Sequence, residues 1–312
     1  MLPFLPAHRL AQQPEERRWL IDGLWADEAV GIVGGEPKCC KSFLALDMAV
    51  AVASGNPCLR HFPVPRPGRV LLFAAEDALH VVRQRLDGIC HAAGATLDSI
   101  DVQVITAPSV RLDLESDRKA LTGTIDELQP RLLILDPFVR LHRIDENVSG
   151  EVAPLLAFLR ELQRRFHLAV VLVHHARKGA GKERAGQALR GSSEFHAWGD
   201  SNLYLRRREE QLLLSVEHRA APSRTGISLH LRAQDDSLAL EICAALAATQ
   251  PASPRALDEQ IRAALEGAGK PLTVADLQRI CRVRTSTLCD ALAALTDKGR
   301  LRKAERGYCL TS

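Results

Sequence analysis

Aromatic residues are scarce in this chain: Phe, Trp and Tyr together make up 4% of its 312 residues. So few rings provide no obvious platform on which nucleic-acid bases could stack. Long apolar runs are also lacking, because the longest segments, such as Leu168–Val173, are far too short to span a bilayer. We therefore expect no membrane contact, and the first residues predict no secretory signal.

Cysteine pairs at metal-ligand or redox-motif spacing are missing as well, although the chain contains eight cysteines. No two of them are spaced as Cys-x-x-Cys, and with the neighbouring histidines they form no zinc-binding motif. Several lie inside apolar patterns, where a reduced thiol behaves as a small hydrophobic side chain. This usage predicts a reducing compartment, the cytoplasm.

A strong excess of one charge is absent too, since the net charge is +3. Residues 255–312 carry 11 Lys and Arg against 7 Asp and Glu, a local excess of +4, so the remainder is about neutral. A small basic segment of this kind is compatible with nucleic-acid contact.

Short apolar segments alternate with helical patterns from about residue 29 onward. They contain few polar residues, as strands covered on both faces do. The alternation predicts right-handed βαβ units, and hence an α/β fold with a mostly parallel sheet flanked by helices. The predicted strands are Ala29–Val33, Arg69–Ala75, Asp101–Thr106, Arg131–Asp136 and Leu168–Val173. The predicted helices are Lys41–Ser54, Leu79–Ala93, Asp117–Leu128 and Glu151–Arg165.

After residue 200 the pattern changes to strands without helices, which predicts antiparallel hairpins at the edge of the sheet. Residues 244–254 then have the Ala, Ser and Pro composition of a linker. We predict a lead-in segment at 1–26, a main domain at 27–243, the linker at 244–254 and a small domain at 255–312. The predicted edge strands are Asn202–Arg207, Gln211–Glu217, Ile227–Arg232 and Ser237–Ile242.

A loop at residues 34–42, Gly-Gly-Glu-Pro-Lys-Cys-Cys-Lys-Ser, follows the first predicted strand and opens the first helix. A strand–loop–helix of this kind binds phosphate, because loop N–H groups and the positive end of the helix dipole face the anion. Lys41 would reach the β- and γ-phosphates of ATP, and Ser42 would hold Mg²⁺ through its hydroxyl. The predicted nucleotide-binding residues are Gly35, Glu36, Pro37, Lys38, Cys39, Cys40, Lys41, Ser42 and Phe43.

Cys40 stands where the phosphate-loop pattern GxxxxGK[ST] has its second glycine. Glycine allows close backbone approach and unusual φ values there, whereas a cysteine adds a Cβ atom and strain. ATP binding remains the prediction, with a weaker case for hydrolysis. The alternatives are a strand–turn–helix with an accidental Lys-Ser pair, and a redox role for the adjacent Cys39 and Cys40.

Two further predicted strands end in carboxylates. Asp136 closes the segment 131–136 and fits an acid of the Mg²⁺ shell, although an ordinary Asp-Pro turn is the alternative. Glu76 and Asp77 follow the segment 69–75. We predict that Glu76 is the general base that activates water and that Asp77 caps the next helix.

Five segments of the chain occur in a recognisable order. They are GGEPKCCKS, LLFAAED (Leu71–Asp77), LLILDP (Leu132–Pro137), VLVHHARKG (Val171–Gly179) and ALRGSSEF (Ala188–Phe195). In order and spacing, over about residues 18–232, they resemble the RepA-type hexameric helicases, a family of RecA-like ATPases. The resemblance implies a RecA-like fold, ATP and Mg²⁺ as ligands, Glu76 as catalytic base and Asp136 as the Walker B acid.

The same resemblance implies roles for residues farther along the chain. A histidine that closes the next strand senses the γ-phosphate in that family, and here it is His174 or His175. Arg219 resembles the arginine finger that a neighbouring subunit supplies in related replicative helicases, which implies a homo-oligomer, a hexameric ring. RepA-type proteins carry an arginine shortly after their RGSS segment, where this chain has Trp198-Gly-Asp200.

Residues 177–191 form a glycine-rich basic segment. In RecA-like rings the corresponding loop faces the central channel, which predicts contacts to nucleic-acid phosphates. A solvated surface loop is the alternative. The residues predicted to make these contacts are Lys178, Lys182, Arg184 and Arg190.

The last segment predicts a small winged helix-turn-helix domain. Its helical patterns are Arg255–Leu265, Thr273–Ile280 and Arg284–Lys298, followed by strands at 301–303 and Gly307–Leu310. DNA is the expected partner, and a protein-binding winged helix is the alternative. The predicted groove-facing residues are Arg282, Arg284, Thr285, Ser286 and Thr287, and the predicted wing contacts are Arg302, Lys303 and Arg306.

Together these observations predict an ATP- and Mg²⁺-dependent, DNA-associated ATPase that acts as a ring-forming motor or remodeller. A nucleotide-gated DNA-binding regulator with slow or no turnover is the alternative, which Cys40 and the segment 198–200 favour. A purely structural protein would bind no ATP at all.

Overall fold

The computed structural model describes most of the chain and divides it into two compact units, Met1–Cys243 and Ala244–Ser312. The described residues are 4–9, 18–175, 194–208, 211–234, 237–243, 254–268, 271–281, 288, 291–293, 295–296, 300–304 and 307–311.

Strands and helices alternate through most of the first unit. Its strands are β1 (Trp19–Ile21), β2 (Trp25–Ala26), β3 (Val30–Gly35), β4 (Val70–Ala74), β5 (Val102–Val104), β6 (Leu132–Asp136), β7 (Ala169–His175), β8 (Ser201–Arg208), β9 (Gln211–His218), β10 (Arg224–Gln234) and β11 (Ser237–Ile242). Its α-helices are α1 (Lys41–Ser54), α2 (Leu79–Ala92), α3 (Glu115–Leu128), α4 (Ser149–Phe166) and α5 (Glu194–Trp198).

One sheet contains all the strands from β3 onward in this unit, in the spatial order β11-β10-β9-β8-β3-β7-β6-β4-β5. The strands β3 to β7 are parallel. Helices α1 and α2 cover one face of this parallel part, and α3 and α4 cover the other. Burial on both faces explains why these strands are apolar throughout. The structure confirms the predicted α/β class with a mostly parallel sheet.

The edge of the sheet differs in one respect from the sequence prediction. Strand β8 pairs in parallel with β3, and only β9, β10 and β11 continue as antiparallel neighbours. The long connection between β7 and β8 accounts for this, since parallel pairing needs a crossover rather than a tight hairpin.

A small sheet of β1 and β2 precedes the main sheet. Leu20, Ile21, Leu24 and Trp25 are fully buried in the same apolar core as α1. These strands were too short to be recognised by alternation in the sequence.

The amino ends of the parallel strands are joined by ion pairs. The carboxylate of Asp27, only 6% exposed, lies 2.6 Å from Arg66 Nη2 and 2.5 Å from Arg131 Nη2. Asp200 pairs with Arg160 and accepts the backbone N–H of Val30 at 3.3 Å. These contacts bind together the segments that enter β3, β4, β6 and β8.

Hydrogen bonds and an ion pair also link helix α1 to the far edge of the sheet. The Asp47 carboxylate accepts the N–H of Leu59 at 2.6 Å and pairs with Arg60 at 2.5 Å. Arg60 in turn donates to the carbonyl oxygen of Leu240 in β11. One buried carboxylate therefore links α1, the following loop and the last strand.

The second unit consists of α6 (Pro254–Ala268), α7 (Val274–Cys281) and a hairpin of β12 (Leu301–Ala304) and β13 (Gly307–Leu310). Gly307 has φ 131°, and a Cβ atom there would lie 2.2 Å from the carbonyl oxygen of Leu272. Within the predicted third helix, the described residues 288, 291–293 and 295–296 are helical. The winged helix-turn-helix assignment stays a prediction.

Among the described residues, no helix has both the length and the apolar character needed to cross a membrane. The described cysteines are free thiols.

Candidate nucleotide site

The loop between β3 and α1 follows a backbone course that L-residues rarely adopt. Gly35 has φ 154°, and both Lys38 and Cys40 have φ 62°. A Cβ atom on Gly35 would lie 2.2 Å from the carbonyl oxygen of Leu205 and 2.7 Å from Sγ of Cys39. Position 35 therefore needs glycine for both its conformation and its space.

Cys40 adopts the left-handed conformation, φ 62° and ψ 28°, at the position where glycine is usual. This conformation costs an L-residue about 1–2 kcal/mol. Burial raises the pKa of its thiol, although the nearby cations Arg207, Lys41 and Arg85 oppose the shift. Burial also raises the pKa of Cys39. Little thiolate forms at neutral pH, which disfavours the redox role.

Lys41 is held inside the loop that it follows. Its side chain is buried, and Nζ donates to the carbonyl oxygen of Glu36 at 2.7 Å. Burial lowers the pKa of Lys41, while Cys39 and Asp136 counteract that shift. Among the other loop residues, Glu36 is half-buried, whereas Pro37 and Lys38 are exposed.

Asp136 and Ser42 meet beneath the loop. Because side chains alternate along a strand, Asp136 lies on the same face of β6 as Leu132 and Ile134, which pack with α1. Ser42 lies near the Asp136 carboxylate, and its hydroxyl favours the charged form of that acid. Burial raises the pKa of Asp136 to about 6, with Asp77 and Glu76 adding to the shift and Ser42 and Lys41 opposing it.

Glu76 lies one strand away, just after β4. Its Oε1 is 2.8 Å from Nε of Arg140, and the two side chains are 44% and 62% exposed. Arg140 belongs to a short 3-10 helix, Phe138–Arg140, that follows β6. Sequence reasoning missed this arginine because the contact joins two separate strands.

The predicted capping role of Asp77 is wrong. Helix α2 begins at Leu79 with Ala78 as its N-cap, and no side chain caps it. Asp77 lies one residue too early to cap the helix, and its carboxylate pairs with Arg85. The guanidinium of Arg85 also lies 5.1 Å from the ring centre of Phe43.

The two histidines at the end of β7 point to opposite faces of the sheet. His174 is 2% exposed and packs against the rings of Phe138 and Phe195, on the face away from α1. His175 is half-buried and shares the face of Val171 and Val173, which pack with α1. Of the two, only His175 is on the side of the phosphate loop.

Arg219 is not brought to the site within this chain. Strand β8 runs parallel to β3 and ends beside the loop, so β9 returns to the opposite end of the sheet, where Arg219 follows it. Its guanidinium donates to the carbonyl oxygen of Ala197 at 2.5 Å and lies 3.2 Å from Oδ1 of Asp200.

Arg207 is a second cation that sequence reasoning missed. It is exposed, and its Nη2 lies 3.4 Å from the carbonyl oxygen of Lys38 in the loop. Three consecutive arginines, 206–208, were the available signal. The period of the strand places Arg207 on the face of Leu205, which packs with α1, but this required knowing that β8 neighbours β3.

The predicted nucleic-acid contacts are described only in part. Arg302 and Lys303 are exposed neighbours on β12, so their side chains point to opposite faces of the hairpin. Lys178, Lys182, Arg184, Arg190, Arg282, Arg284, Thr285, Ser286, Thr287 and Arg306 lie outside the described residues.

The carboxyl edge of the parallel strands thus gathers a buried ammonium, a carboxylate–hydroxyl pair and an accessible carboxylate beside a strained loop. This is where ligands of open α/β sheets bind. A cation for phosphate, oxygen ligands for a divalent ion and a proton acceptor are the parts that phosphoryl transfer to water needs.

Two solved structures resemble this chain. A DnaB-like replicative helicase, in a structure that includes its interactions with primase, resembles the chain with a TM-score of 0.54 at 13% identity. The match covers 68% of this chain and 57% of the helicase, so the chain spans little more than half of the helicase's length. A RadB recombinase matches with a TM-score of 0.49 at 16% identity, over 69% of this chain and 91% of that protein.

At 13% identity the likeness to the helicase concerns the fold alone, which is RecA-like as the sequence predicts. The family model described as "AAA domain" matches residues 1–181. This match includes the loop, Glu76, Asp136 and both histidines, and it spans more than half of the chain. The chain belongs to the AAA domain family.

Proposed function

We propose that this protein hydrolyses ATP with Mg²⁺ and uses the cycle to act on DNA, as a ring-forming motor or remodeller of the RepA type. The observation that carries the proposal is the proximity of the Ser42 hydroxyl and the buried ammonium of Lys41 to the buried Asp136 carboxylate. In P-loop ATPases such a trio holds the metal ion and the phosphates.

The residues present fit ATP and Mg²⁺. The Asp136 carboxylate is buried, and its raised pKa reflects the cost of burying a negative charge near Asp77 and Glu76. A divalent cation held by Ser42 and Asp136 would compensate that charge. When bound, Mg²⁺ neutralises the charge that develops on the phosphate oxygens.

Side chains of this protein would then bind the phosphates, accept the proton of the attacking water and sense the γ-phosphate. Lys41 would exchange the Glu36 carbonyl for a phosphate oxygen. Glu76, with Arg140 orienting one of its oxygens, would accept the proton of the attacking water. His175, on the α1 face, is better placed than His174 to sense the γ-phosphate.

The position of Arg219 supports an oligomer. It lies at the end of the sheet opposite to its own phosphate loop, so it could stabilise a transition state only in a neighbouring subunit. We propose a homo-hexameric ring, located in the cytoplasm.

DNA is the proposed partner. The similar fold of a replicative helicase and the local excess of positive charge at 255–312 support this choice. The second unit would be a winged helix, with Arg302 and Lys303 as described wing contacts.

The decisive experiment measures Mg²⁺-dependent ATP hydrolysis with and without single-stranded DNA. We expect DNA-stimulated turnover in the wild type and a loss of at least about 100-fold in Lys41→Ala. Lys119→Ala is the matched control, because Lys119 is 75% exposed on α3 and far from the loop in sequence. If ATP does not bind at all, the proposal is wrong.

A nucleotide-gated DNA-binding regulator is the second candidate. The left-handed conformation of Cys40 at the phosphate loop and the ion pair of Arg219 with Asp200 favour it. Tight ATP binding without turnover would support this candidate. So would a monomer or dimer, rather than a hexamer, in solution with ATP and DNA.

A further inference from the structure

Three ionisable side chains are buried together on the face of the sheet away from α1. They are His142, Glu146 and His174, with side chains 2%, 12% and 2% exposed. The roles proposed above for the nucleotide site leave all three unused. Three buried ionisable side chains in one cluster need a physical explanation.

The carboxylate of Glu146 lies between the two imidazole rings. Its Oε1 is 3.3 Å from Nε2 of His142, and its Oε2 is 3.9 Å from Nε2 of His174. Neither of these ring nitrogens makes a well-formed hydrogen bond within the described part of the chain. The first contact is close to hydrogen-bond length, and the second is too long by about 1 Å.

Aromatic rings enclose the cluster. Phe138 lies 4.5 Å from His142 and 6.1 Å from His174 between ring centres, and Phe195 lies 4.4 Å from His174. In such an apolar shell a carboxylate–imidazole contact is stronger than in water.

The cluster joins two segments that leave the nucleotide site. His142 follows β6 and the 3-10 helix that carries Arg140. His174 is next in sequence to His175 at the end of β7. A shift at either strand end therefore changes the distance from Glu146 to one of the rings.

His174 is a neutral ring at physiological pH. Burial lowers its pKa to about 4, with Glu146 opposing the shift and His175 and His142 adding to it. A neutral ring can donate one hydrogen bond to the carboxylate without carrying a charge.

We propose that Glu146 is a positioning residue for the sensor: when the end of β7 moves toward it, Glu146 accepts a hydrogen bond from the His174 ring and thereby sets the backbone that aims His175 at the nucleotide. The inference rests on the proposed function. In the structure described here Glu146 lies closer to His142, and movement of the end of β7 by about 1 Å would complete the bond to His174.

The test compares Glu146→Ala with Glu146→Gln. An amide can still accept a hydrogen bond from a neutral ring, so Gln should keep turnover within about 3-fold of the wild type. Ala should lower kcat by about 10-fold or more while changing KM for ATP less than about 2-fold, as expected for a misplaced group. Glu161→Gln is the control, because Glu161 is exposed on α4.

Two results would overturn the inference: full activity in Glu146→Ala, or equal losses in the Ala and Gln variants. Circular dichroism melting must first show that both variants fold. If neither wild type nor control hydrolyses ATP, the proposed function has failed, and a second measurement decides on the contact alone. Long-range ¹H–¹⁵N NMR spectra should then show a changed His174 ring signal in Glu146→Ala, and an unchanged signal rules the contact out.

Discussion

Buried carboxylates at the two ends of the parallel strands have different partners. At the amino ends, carboxylates have arginine partners: Asp27 has two, and Asp200 has Arg160 and Arg219. At the carboxyl ends, Asp136 lies near the Ser42 hydroxyl and the Lys41 ammonium, and burial raises its pKa to about 6.

This difference distinguishes carboxylates that stabilise the fold from a carboxylate that prepares a ligand site. Paired charges at the amino ends satisfy one another without any ligand. The buried Asp136 carboxylate at the carboxyl ends reduces stability until a cation binds, as groups at functional sites commonly do. Mutations of Asp27 and of Asp136 should therefore change stability in opposite directions.

The largest effect is expected from Asp27→Ala. The change leaves Arg66 and Arg131 without their common partner, which is only 6% exposed. Loss of one member of a buried ion pair costs several kcal/mol, and we expect about 3 kcal/mol because both arginines are partly exposed. Urea denaturation measures the free energy of unfolding.

The control for Asp27 is Asp101→Ala at the same end of the sheet. Asp101 and its partner Arg69 are 42% and 38% exposed, so the loss should stay below about 1 kcal/mol. Equal losses for the two variants would contradict the idea that buried pairs secure the amino ends.

A stability gain is expected from Asp136→Asn at the carboxyl ends. The folded-state pKa of about 6 lies above the ordinary value of 3.8, so the folded protein binds more protons between these values and loses stability as pH rises through them. At pH 7.5 the variant should be more stable by about 2 kcal/mol, and near pH 4 the difference should vanish. ATP turnover should be lost.

Urea denaturation at both pH values checks this result, with the exposed Asp126→Asn as control. A variant that is less stable than wild type at pH 7.5 would show that Asp136 stabilises the fold, and the contrast between the two ends would fail.

The smallest effect is expected from Cys40→Gly. Glycine removes about 1 kcal/mol of left-handed strain, but its greater freedom in the unfolded chain offsets part of the gain. Loss of the Cβ atom should let phosphate approach more closely and increase ATP affinity a few-fold. Titration with a fluorescent ATP analogue measures this, with Cys309→Ser as a thiol control. Weaker binding would mean that the thiol itself contributes.

Much of the fold could be predicted because its signals are local. Helix α1 and strand β11 have the predicted bounds, Lys41–Ser54 and Ser237–Ile242. The direction of β8 could not be predicted, since it depends on which strand lies beside it. Strands β1 and β2 could not be predicted, because segments of two or three residues are too short to show a hydrophobic period.

The candidate site also has parts that local sequence patterns predict and parts that they do not. The loop, Asp136 and Glu76 follow directly from local patterns, and their roles remain predictions. The choice between His174 and His175 became possible only when the faces of β7 were known. The contacts of Glu76 with Arg140 and of Glu146 with His174 join residues on different elements, so no local pattern contains them.

The link from Asp47 through Arg60 to Leu240 has a consequence for how the chain matures during synthesis. Helix α1 lies near the start of the chain, yet one of its fastenings is a carbonyl oxygen in the last strand of the sheet. Domains fold as units while the ribosome adds residues from the amino terminus onward. Helix α1 therefore cannot complete its packing until residue 240 has left the exit tunnel. Formation of the candidate nucleotide site on the nascent chain is delayed until then.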